Sequence, residues 1–546
     1  MKNKSLSLGL LGILIALISF LAWIPGPFPF LLAIQFIPLF LIWDQESPLA
    51  YLRPNKKYLI PSLLFYSIIQ LGFILYWISE VNIGAALYVI FLGAFMNSLC
   101  FLFLFRFWSN ASDRLSRYFI SIGFIAIWLG MEFIRERVFS LPWIHLGMGL
   151  SPYWKEIQWY SFTGPLGGSL WILVLNFAIY EALLALLRSI PTRKFSSFYS
   201  HILFLLAIIF IPILISWDSL NSRSHFYQRT IQVATVQTFI NPRRTMIRDE
   251  LAQLILLSKP QLRSNTEYLV WPENALGFAG SLDEEKIHFN PLIIKLKQFI
   301  QPYKNLSLVM GATTYKLISD QDTLWFNSSL QIENGDRISI YHKQILVPGI
   351  EKPAFSFPSQ KYAWNEENPP IRLEDKVSAY MYLGGISHYF SEDGRPQVLY
   401  AQSGNGLGAL ICFESVFNSY ARNLAIQGAG LFAVQSNDSW YPMSAGTIQH
   451  RDYSRILAIS NHRSLIQSTN GGPSFLMSPK GEIIKDLDKS LEGGIQASLD
   501  LEEDPSFYSL HGDYMIFILP ILLVLWGLLV LIRLLPALSW NRSKIE

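Results

Sequence analysis

The chain has 546 residues, of which 51% are apolar and only 15% charged, with a net charge of +3. A soluble globular chain carries roughly a quarter charged residues, so the composition excludes a chain that is soluble throughout. The absence of a basic block or aromatic–basic interleaving excludes a nucleic-acid binder, and two cysteines, Cys100 and Cys412, imply no disulfide framework.

In chain order, the apolar residues fall into eight runs, at 6–24, 28–43, 58–79, 83–105, 118–134, 165–187, 200–217 and 514–532. A hydrocarbon core about 30 Å thick needs roughly 20 apolar helical residues, which makes each run a candidate span, the second and fifth being short. Pro25, Gly26, Pro27 and Pro29 break the chain between the first two. The first run follows Lys2 and Lys4 and lacks a small-residue cleavage site, so it reads as an anchor. Basic residues then set the orientation. Lys2 and Lys4, Arg53 with Lys56 and Lys57, Arg106 with Arg114 and Arg117, Arg188 with Arg193 and Lys194, and Arg533 with Arg542 and Lys544 mark cytoplasmic segments. The stretch 135–164, with Arg135, Arg137 and Lys155, is a mild exception on the outer side. Both termini are therefore expected in the cytoplasm. Seven helices in 1–220 precede a soluble domain over 229–505 outside it, and 514–546 supplies the eighth helix and a tail.

Between 229 and 505 short β-rich runs alternate with helical patterns. Thr230–Gln237, Tyr268–Trp271, Ser307–Thr313, Arg337–Tyr341, Leu407–Cys412 and Leu431–Gln435 are strand candidates, and 242–258, 291–300, 415–427 and 446–461 helical ones. This alternation predicts an α/β layered domain. The stretch 352–400, rich in Pro, Gly, Ser and aromatic residues, reads as a long excursion of the kind that forms functional lids.

Three polar sites each follow a predicted strand, where α/β enzymes gather their chemistry. They are Trp271-Pro272-Glu273-Asn274-Ala275, Tyr341-His342-Lys343 and Ile411-Cys412-Phe413-Glu414-Ser415. A thiol attacks as thiolate and needs a base, which Glu273 can be. Lys343 supplies positive charge for a tetrahedral oxyanion, and the Phe413 N–H adds a donor; one such donor is typically worth about 10²–10³ in rate. Taken singly, a cysteine placed like Cys412 is more often a small buried hydrophobe, an acid like Glu273 more often a turn or helix-start residue and a lysine like Lys343 more often a solvated strand-end charge. Glu132 and Arg135 read as an ion pair at the outer interface, Asn176 and Glu181 as groups packed between helices, and His450 as structural. Nothing has metal-ligand spacing or the form of a phosphate loop, so neither metal nor cofactor is expected.

Taken in the order Glu, Lys, Cys, these residues resemble the nitrilase (carbon–nitrogen hydrolase) superfamily. With the eight-span anchor, the whole chain resembles the apolipoprotein N-acyltransferase family. The resemblance implies an α-β-β-α sandwich on the periplasmic side of the bacterial inner membrane. It casts Glu273 (in WPENA) as general base and acid, Lys343 (in YHKQILVPGIE) as oxyanion stabiliser and Cys412 (in ICFES) as nucleophile. Glu351, Phe413 and Glu414 take supporting roles. Asn437-Asp438-Ser439-Trp440, Gln449-His450 and Ser468-Thr469-Asn470-Gly471 match later landmarks of the family, and Glu132 to Arg135 with Pro142-Trp143 its outer-side loop. Trp143, Phe355, Phe357, Trp364 and Trp440 are available for acyl chains, or equally as interfacial anchors. The chain departs from the family pattern at Phe413, which replaces a tyrosine, at LVPGIE before Glu351, at Met246, and at Leu457 to Ser460, where two charges are lost.

The implied reaction is a two-step transfer. Cys412 takes an acyl chain from a membrane phospholipid as a thioester. The free α-amino group of a diacylglyceryl-cysteine lipoprotein then takes it as an amide, which is the last step of lipoprotein maturation. No partner subunit is required, so a monomer is expected. Two alternatives remain: a membrane-tethered nitrilase-like amidase or hydrolase using water as acceptor, and a transporter or receptor whose outer domain merely binds ligand.

Overall fold

The computed structural model describes residues 16–23, 28–44, 49–52, 56–108, 114–222, 229–240, 247–277, 280–319, 322–348, 350–351, 397–441 and 444–517, with a few isolated positions besides. The runs 6–24 and 514–532 are thus described only in part. Met246, Phe355, Phe357, Trp364 and most of the 352–400 excursion lie outside the described residues.

Five helices among the described residues are long and apolar enough to cross a membrane. They are α1 (Lys56–Leu75), α2 (Ile83–Trp108), α3 (Arg114–Phe139), α4 (Tyr160–Thr192) and α5 (Ser196–Asn221). The run 28–43, expected as one span, forms a short 3-10 turn, Pro29–Ala33, and a seven-residue helix, Ile37–Trp43. Its Leu32, Phe36, Phe40 and Trp43 are buried in the bundle. Asn176 of α4 holds this segment, accepting from Phe36 N at 2.9 Å and donating to Leu32 O at 2.7 Å. Phe40 stacks on Phe177 with ring centroids 4.5 Å apart, and Phe101, Trp108, Phe124 and Trp128 complete an aromatic core. Helix α5 turns Leu203, Phe204, Phe210 and Leu214 outward, as a lipid-facing helix does. Helix α4 breaks at Gly164, whose φ of 63° suits glycine. A Cβ there would stand 2.3 Å from the Tyr508 ring, so the short helix Phe507–His511 packs into the break.

The expected ion pair of Glu132 and Arg135 lies inside the bundle rather than at its edge, the two residues being 0% and 1% exposed. Glu132 accepts from the Trp128 indole at 3.0 Å and from Leu146 N at 2.9 Å, and Arg135 donates to Asn97 at 3.1 Å. Charges so enclosed need these partners; the pair fastens the 3-10 segment Leu146–Tyr153 to α3. At the other end of the bundle Glu181 pairs with Arg117 at 3.6 Å.

The rest of the chain forms two sheets packed face to face. The first runs β13-β1-β2-β4-β5-β6, with β3 beside β4. Its strands are β1 (Arg229–Gln237), β2 (Thr266–Val270), β3 (Leu282–Asp283), β4 (Ser307–Ser319), β5 (Asp322–Ile332), β6 (Ile338–His342) and β13 (Gly493–Leu501). The second runs β12-β11-β10-β9-β8-β7. It contains β7 (Val398–Tyr400), β8 (Gly406–Ile411), β9 (Leu431–Asn437), β10 (Ser464–Asn470), β11 (Phe475–Met477) and β12 (Ile483–Asp486). Val233, Val270 and Val309 of one sheet meet Ala409, Ile411 and Ala433 of the other. Helices α6 (Ile247–Ser258) and α7 (Pro291–Ile300) cover the outer face of the first sheet, whose cluster includes Leu254, Leu296 and Leu308. Helices α8 (Asn418–Ile426) and α9 (Ala445–Asn461) cover the second, through Leu424, Phe432 and Leu457. This is the expected α-β-β-α sandwich. Burial on both faces explains the apolar runs Leu407–Ile411 of β8 and Leu431–Val434 of β9.

β1, β2 and β4 pair in parallel, as do β8, β9 and β10. β6 follows β5, itself antiparallel to β4, and therefore points the same way as β4. A bridge between Thr238 and Asn470 joins the two sheets at the ends of β1 and β10. The C-terminal ends of β2, β6 and β8 consequently open on one side of the sandwich, where α/β folds present their functional loops.

Candidate active site

Glu273 leaves the end of β2 on a loop clamped to β4. Trp271 N donates to Val309 O at 2.8 Å, Gly311 N to Pro272 O at 3.1 Å and Ala275 N to Gly311 O at 2.9 Å. A Cβ at Gly311 would stand 2.5 Å from Glu273 Cα, so only glycine lets the loop lie this close. Lys343 follows β6 and continues its ladder, Lys343 N donating to Asn327 O at 2.8 Å. Its ammonium reaches Glu351 Oε1 at 2.9 Å and Glu273 Oε1 at 3.4 Å. Asn327 of β5 donates from Nδ2 to Glu273 Oε1 at 2.8 Å and to Glu351 Oε1 at 3.1 Å. Glu351 Oε2 also accepts from Val347 N at 2.8 Å, which fixes the LVPGIE turn despite its unusual sequence.

Cys412 ends β8 and begins a 3-10 turn, Cys412–Val416. Its φ of 50° is left-handed, a conformation that non-glycine residues hold mainly at functional sites. The first N–H groups of such a turn have no partner within it, which leaves the Phe413 amide able to donate to an oxyanion. Glu414 locks this turn to the Lys343 segment, accepting from Ile411 N at 2.8 Å, Tyr341 OH at 2.7 Å and Gln344 N at 2.6 Å. Burial pushes its carboxyl up to about 7 against those donors. Phe413 packs edge-on against Phe417, with ring centroids 5.1 Å apart.

Burial raises the Cys412 thiol well above its ordinary range; the Glu273 carboxylate raises it further and Lys343 opposes. Glu273 is also raised, by burial first, with Lys343 lowering it and Glu351 raising it. Burial lowers Lys343, but Glu351 and Glu273 outweigh it and hold the ammonium protonated. The resting site therefore favours a neutral thiol beside a basic carboxylate and a fixed positive charge.

Glu273, Lys343, Glu351, Cys412 and Phe413 all line one cavity of about 530 Å³. Trp143 and Trp440 line it too, as does Val347. The membrane bundle contributes Leu75, Trp77, Ile78, Val81, Ala85 and Val89 to the lining. Trp77 bridges the two parts, its ring centroid 5.0 Å from Trp143 and 4.8 Å from Tyr441. Residues 15–178 match the family model for the apolipoprotein N-acyltransferase N-terminal domain, and residues 232–503 the carbon-nitrogen hydrolase model. The apolipoprotein N-acyltransferase of Chlorobaculum tepidum is 24% identical over 94% of this chain and 93% of its own. That of Pseudomonas paraeruginosa is 24% identical over 75% of this chain and 73% of its own. The chain belongs to the apolipoprotein N-acyltransferase family. It is accordingly an acyltransferase enzyme. Among solved structures, a carbon-nitrogen hydrolase from Helicobacter pylori G27 is similar at a TM-score of 0.35 and 16% identity, over 50% of this chain and 90% of that one.

Other family motifs gather at the same cavity. Asn437, Ser439, Trp440, His450 and Gly471 line it. Asn470 ties its rim together, accepting from Thr238 Oγ1 at 2.9 Å and donating to Ile240 O at 2.8 Å and Asn437 Oδ1 at 3.0 Å. The departures Leu457 and Ser460 are buried on α9 and are not among the cavity-lining residues, Leu457 packing on the second sheet. Two contributors escaped the sequence reading. Asn327 stands in a polar stretch, FNSSL, that lacks the apolar pattern of a buried strand. Trp77 and the helix residues near it gave no signal beyond apolarity.

Proposed function

We propose that the chain transfers a fatty acyl group from a membrane phospholipid to the α-amino group of a diacylglyceryl-cysteine lipoprotein, through a thioester on Cys412. The observation that carries this reading is the shared cavity: Cys412 lines a largely apolar space to which the membrane part contributes Leu75, Trp77, Ile78, Val81, Ala85 and Val89. A water-soluble amide substrate would have no use for such a space, whereas an acyl chain fills it by ordinary hydrophobic burial.

In the first half-reaction Glu273 accepts the thiol proton as Sγ attacks the ester carbonyl carbon. The tetrahedral oxyanion is met by the Lys343 ammonium and the Phe413 N–H. Its collapse breaks the C–O bond, and Glu273 returns the proton to the departing lysophospholipid hydroxyl. In the second, Glu273 takes a proton from the lipoprotein amine as nitrogen attacks the thioester. Collapse then forms the amide and releases Cys412, which regains the proton. Glu351 and Asn327 keep Glu273 and Lys343 in register throughout.

The proposal divides the chain into a membrane part over 1–220, a catalytic domain over 229–505 and a terminal helix and tail over 514–546. It sets the catalytic domain on the periplasmic side of the bacterial inner membrane and both termini in the cytoplasm. Support comes from the helix ends. Leu75 and Ile78 reach the cavity, while Lys57 and Arg106 lie at the opposite ends of α1 and α2, where the positive-inside rule wants them.

The test is intact-protein mass spectrometry after mixing with phospholipid, comparing wild type with Cys412→Ala. A fatty-acyl mass on wild type alone, released by hydroxylamine and discharged onto a diacylated lipopeptide, is expected. Folded wild type that never gains the adduct would remove the acyltransfer reading in favour of amide or nitrile substrates. Discharge to water, with the lipopeptide unchanged, would make it a hydrolase.

A further inference from the structure

We infer that Ser415, His450 and Asp438 form a positioning chain that holds the backbone of the nucleophile and ties it to the membrane-side loop at Trp143. The inference rests on the reading of Cys412 as the acylated residue.

The Ser415 hydroxyl lies 2.7 Å from Cys412 O and 2.7 Å from His450 Nε2. A hydroxyl has one proton to give. Given to the Cys412 carbonyl, it leaves the oxygen to accept from Nε2–H, so one side chain links the imidazole to the nucleophile's own peptide. The other ring nitrogen faces Asp438 Oδ1 at 3.4 Å. With Nε2–H given to Ser415, this contact is a hydrogen bond only when Nδ1 carries a proton as well, an imidazolium donating to the Asp438 carboxylate. Asp438 is in turn fixed by the Ser436 hydroxyl and by Tyr441 OH at 3.0 Å. Both imidazole nitrogens are thereby committed, and Ser415 and Asp438 are fully enclosed. Ser415 and Asp438 are not among the residues lining the cavity, and the ring nitrogens of His450, which does line it, face those two side chains.

What the chain can do is hold geometry. Cys412 sits at a positive φ, which a non-glycine residue keeps only when its surroundings over-determine it. Glu414 fixes the peptide between Leu410 and Ile411, through Ile411 N. Ser415 fixes the carbonyl of Cys412 itself and so orients the peptide whose nitrogen, Phe413 N, faces the oxyanion.

His450 is also where α9 meets the membrane part. Its neighbour Gln449 accepts from the Trp143 indole at 2.8 Å, and Tyr453 OH donates to Trp143 O at 2.8 Å. The Trp143 ring centroid stands 6.0 Å from that of His450. A continuous set of contacts therefore runs from the membrane-side loop through His450 and Ser415 to the peptide of Cys412.

The experiment is single-turnover thioester formation on the full chain in phospholipid micelles, read by intact mass, with circular dichroism confirming the fold. Ser415→Ala and His450→Ala are each expected to slow acylation on the order of 10- to 100-fold, the cost of a small misplacement of reacting groups. The donor concentration giving half-maximal rate should not change. The double variant should be no slower than the slower single one, because groups acting as one unit are not additive. His450→Gln keeps a donor toward Ser415 and Ser415→Thr keeps the hydroxyl, so both should recover most of the rate. A Ser415→Ala rate equal to wild type, multiplying losses in the double variant, or a His450→Gln no better than His450→Ala would each overturn the inference. Wild type that forms no thioester at all would instead overturn the acyltransfer reading beneath it.

Discussion

Glu273 and Glu351 share both of their principal donors: the Asn327 amide and the Lys343 ammonium each reach Oε1 of both carboxylates. Two enclosed carboxylates this close would repel one another. One amide and one ammonium between them hold the pair together, and burial with Glu351 still leaves Glu273 shifted toward its protonated form. Glu273 is thereby made more basic than an exposed glutamate while remaining beside the Lys343 ammonium, as the proposed roles of base and oxyanion stabiliser require.

Asn327 should therefore be as necessary as the residues it holds. Asn327→Leu leaves buried carboxylate oxygens short of a donor, at a cost of about 1–3 kcal/mol. Thioester formation should fall by about 10- to 100-fold. Asn327→Asp, which adds a third acid, should fall further. Acylation by Asn327→Leu at the wild-type rate would show that Lys343 alone suffices to place Glu273.

The acid side of the pH profile carries the same relationship. Glu273 works as a base only when ionised, and its pKa is raised, so activity is lost as pH falls through a value above the ordinary glutamate figure of about 4.3. Glu351 is one of the groups raising it. In Glu351→Gln the acid limb of single-turnover acylation should move to lower pH, even as the maximal rate drops. An acid limb that stays in place or moves upward in Glu351→Gln would assign the titration to another group.

The layered domain and the three side chains that meet at the cavity, Glu273, Lys343 and Cys412, were legible because they obey strong local rules. β8 is free of polar side chains and β9 begins with the apolar run Leu431–Val434, and Glu273, Lys343 and Cys412 each follow a strand end. β5 and β10 were not legible, since DTLWFNSSLQI and SLIQSTN carry Asn, Gln, Ser and Thr where a buried strand should carry valine. Those polar groups are buried because they bind one another across the sheets, as when Ser468 donates to Val236 O at 2.8 Å. Single-strand periodicity cannot register such long-range pairing. The 28–43 run misled for a related reason. Its apolarity serves burial within the bundle, around Asn176, and not one continuous membrane-length helix.

Gly311 offers a test of how the base is placed. Gly311→Ala puts a methyl group 2.5 Å from Glu273 Cα and 2.6 Å from Pro272 O, both backbone atoms that cannot swing aside. Overpacking of this kind costs typically about 1–3 kcal/mol. The variant should melt a few degrees below wild type and form little thioester, while the Cys412 thiol stays available to alkylation. A Gly311→Ala enzyme with full acylation activity would mean that the Glu273 loop is free to lift from β4.

The membrane residues lining the cavity should set which acyl chains are accepted. Ala85 is buried on α2 and lines the cavity. Ala85→Phe places a large side chain in part of that space. Each methylene that loses its place in an apolar pocket is worth about 1–3 kcal/mol, or 10- to 200-fold in rate. Donors with long acyl chains should lose acylation rate by about that factor, while short-chain donors keep theirs. The measurement is thioester formation from phospholipids differing only in chain length. Equal losses for long and short chains would indicate that the acyl tail leaves the site by another path and that Ala85 merely supports the bundle.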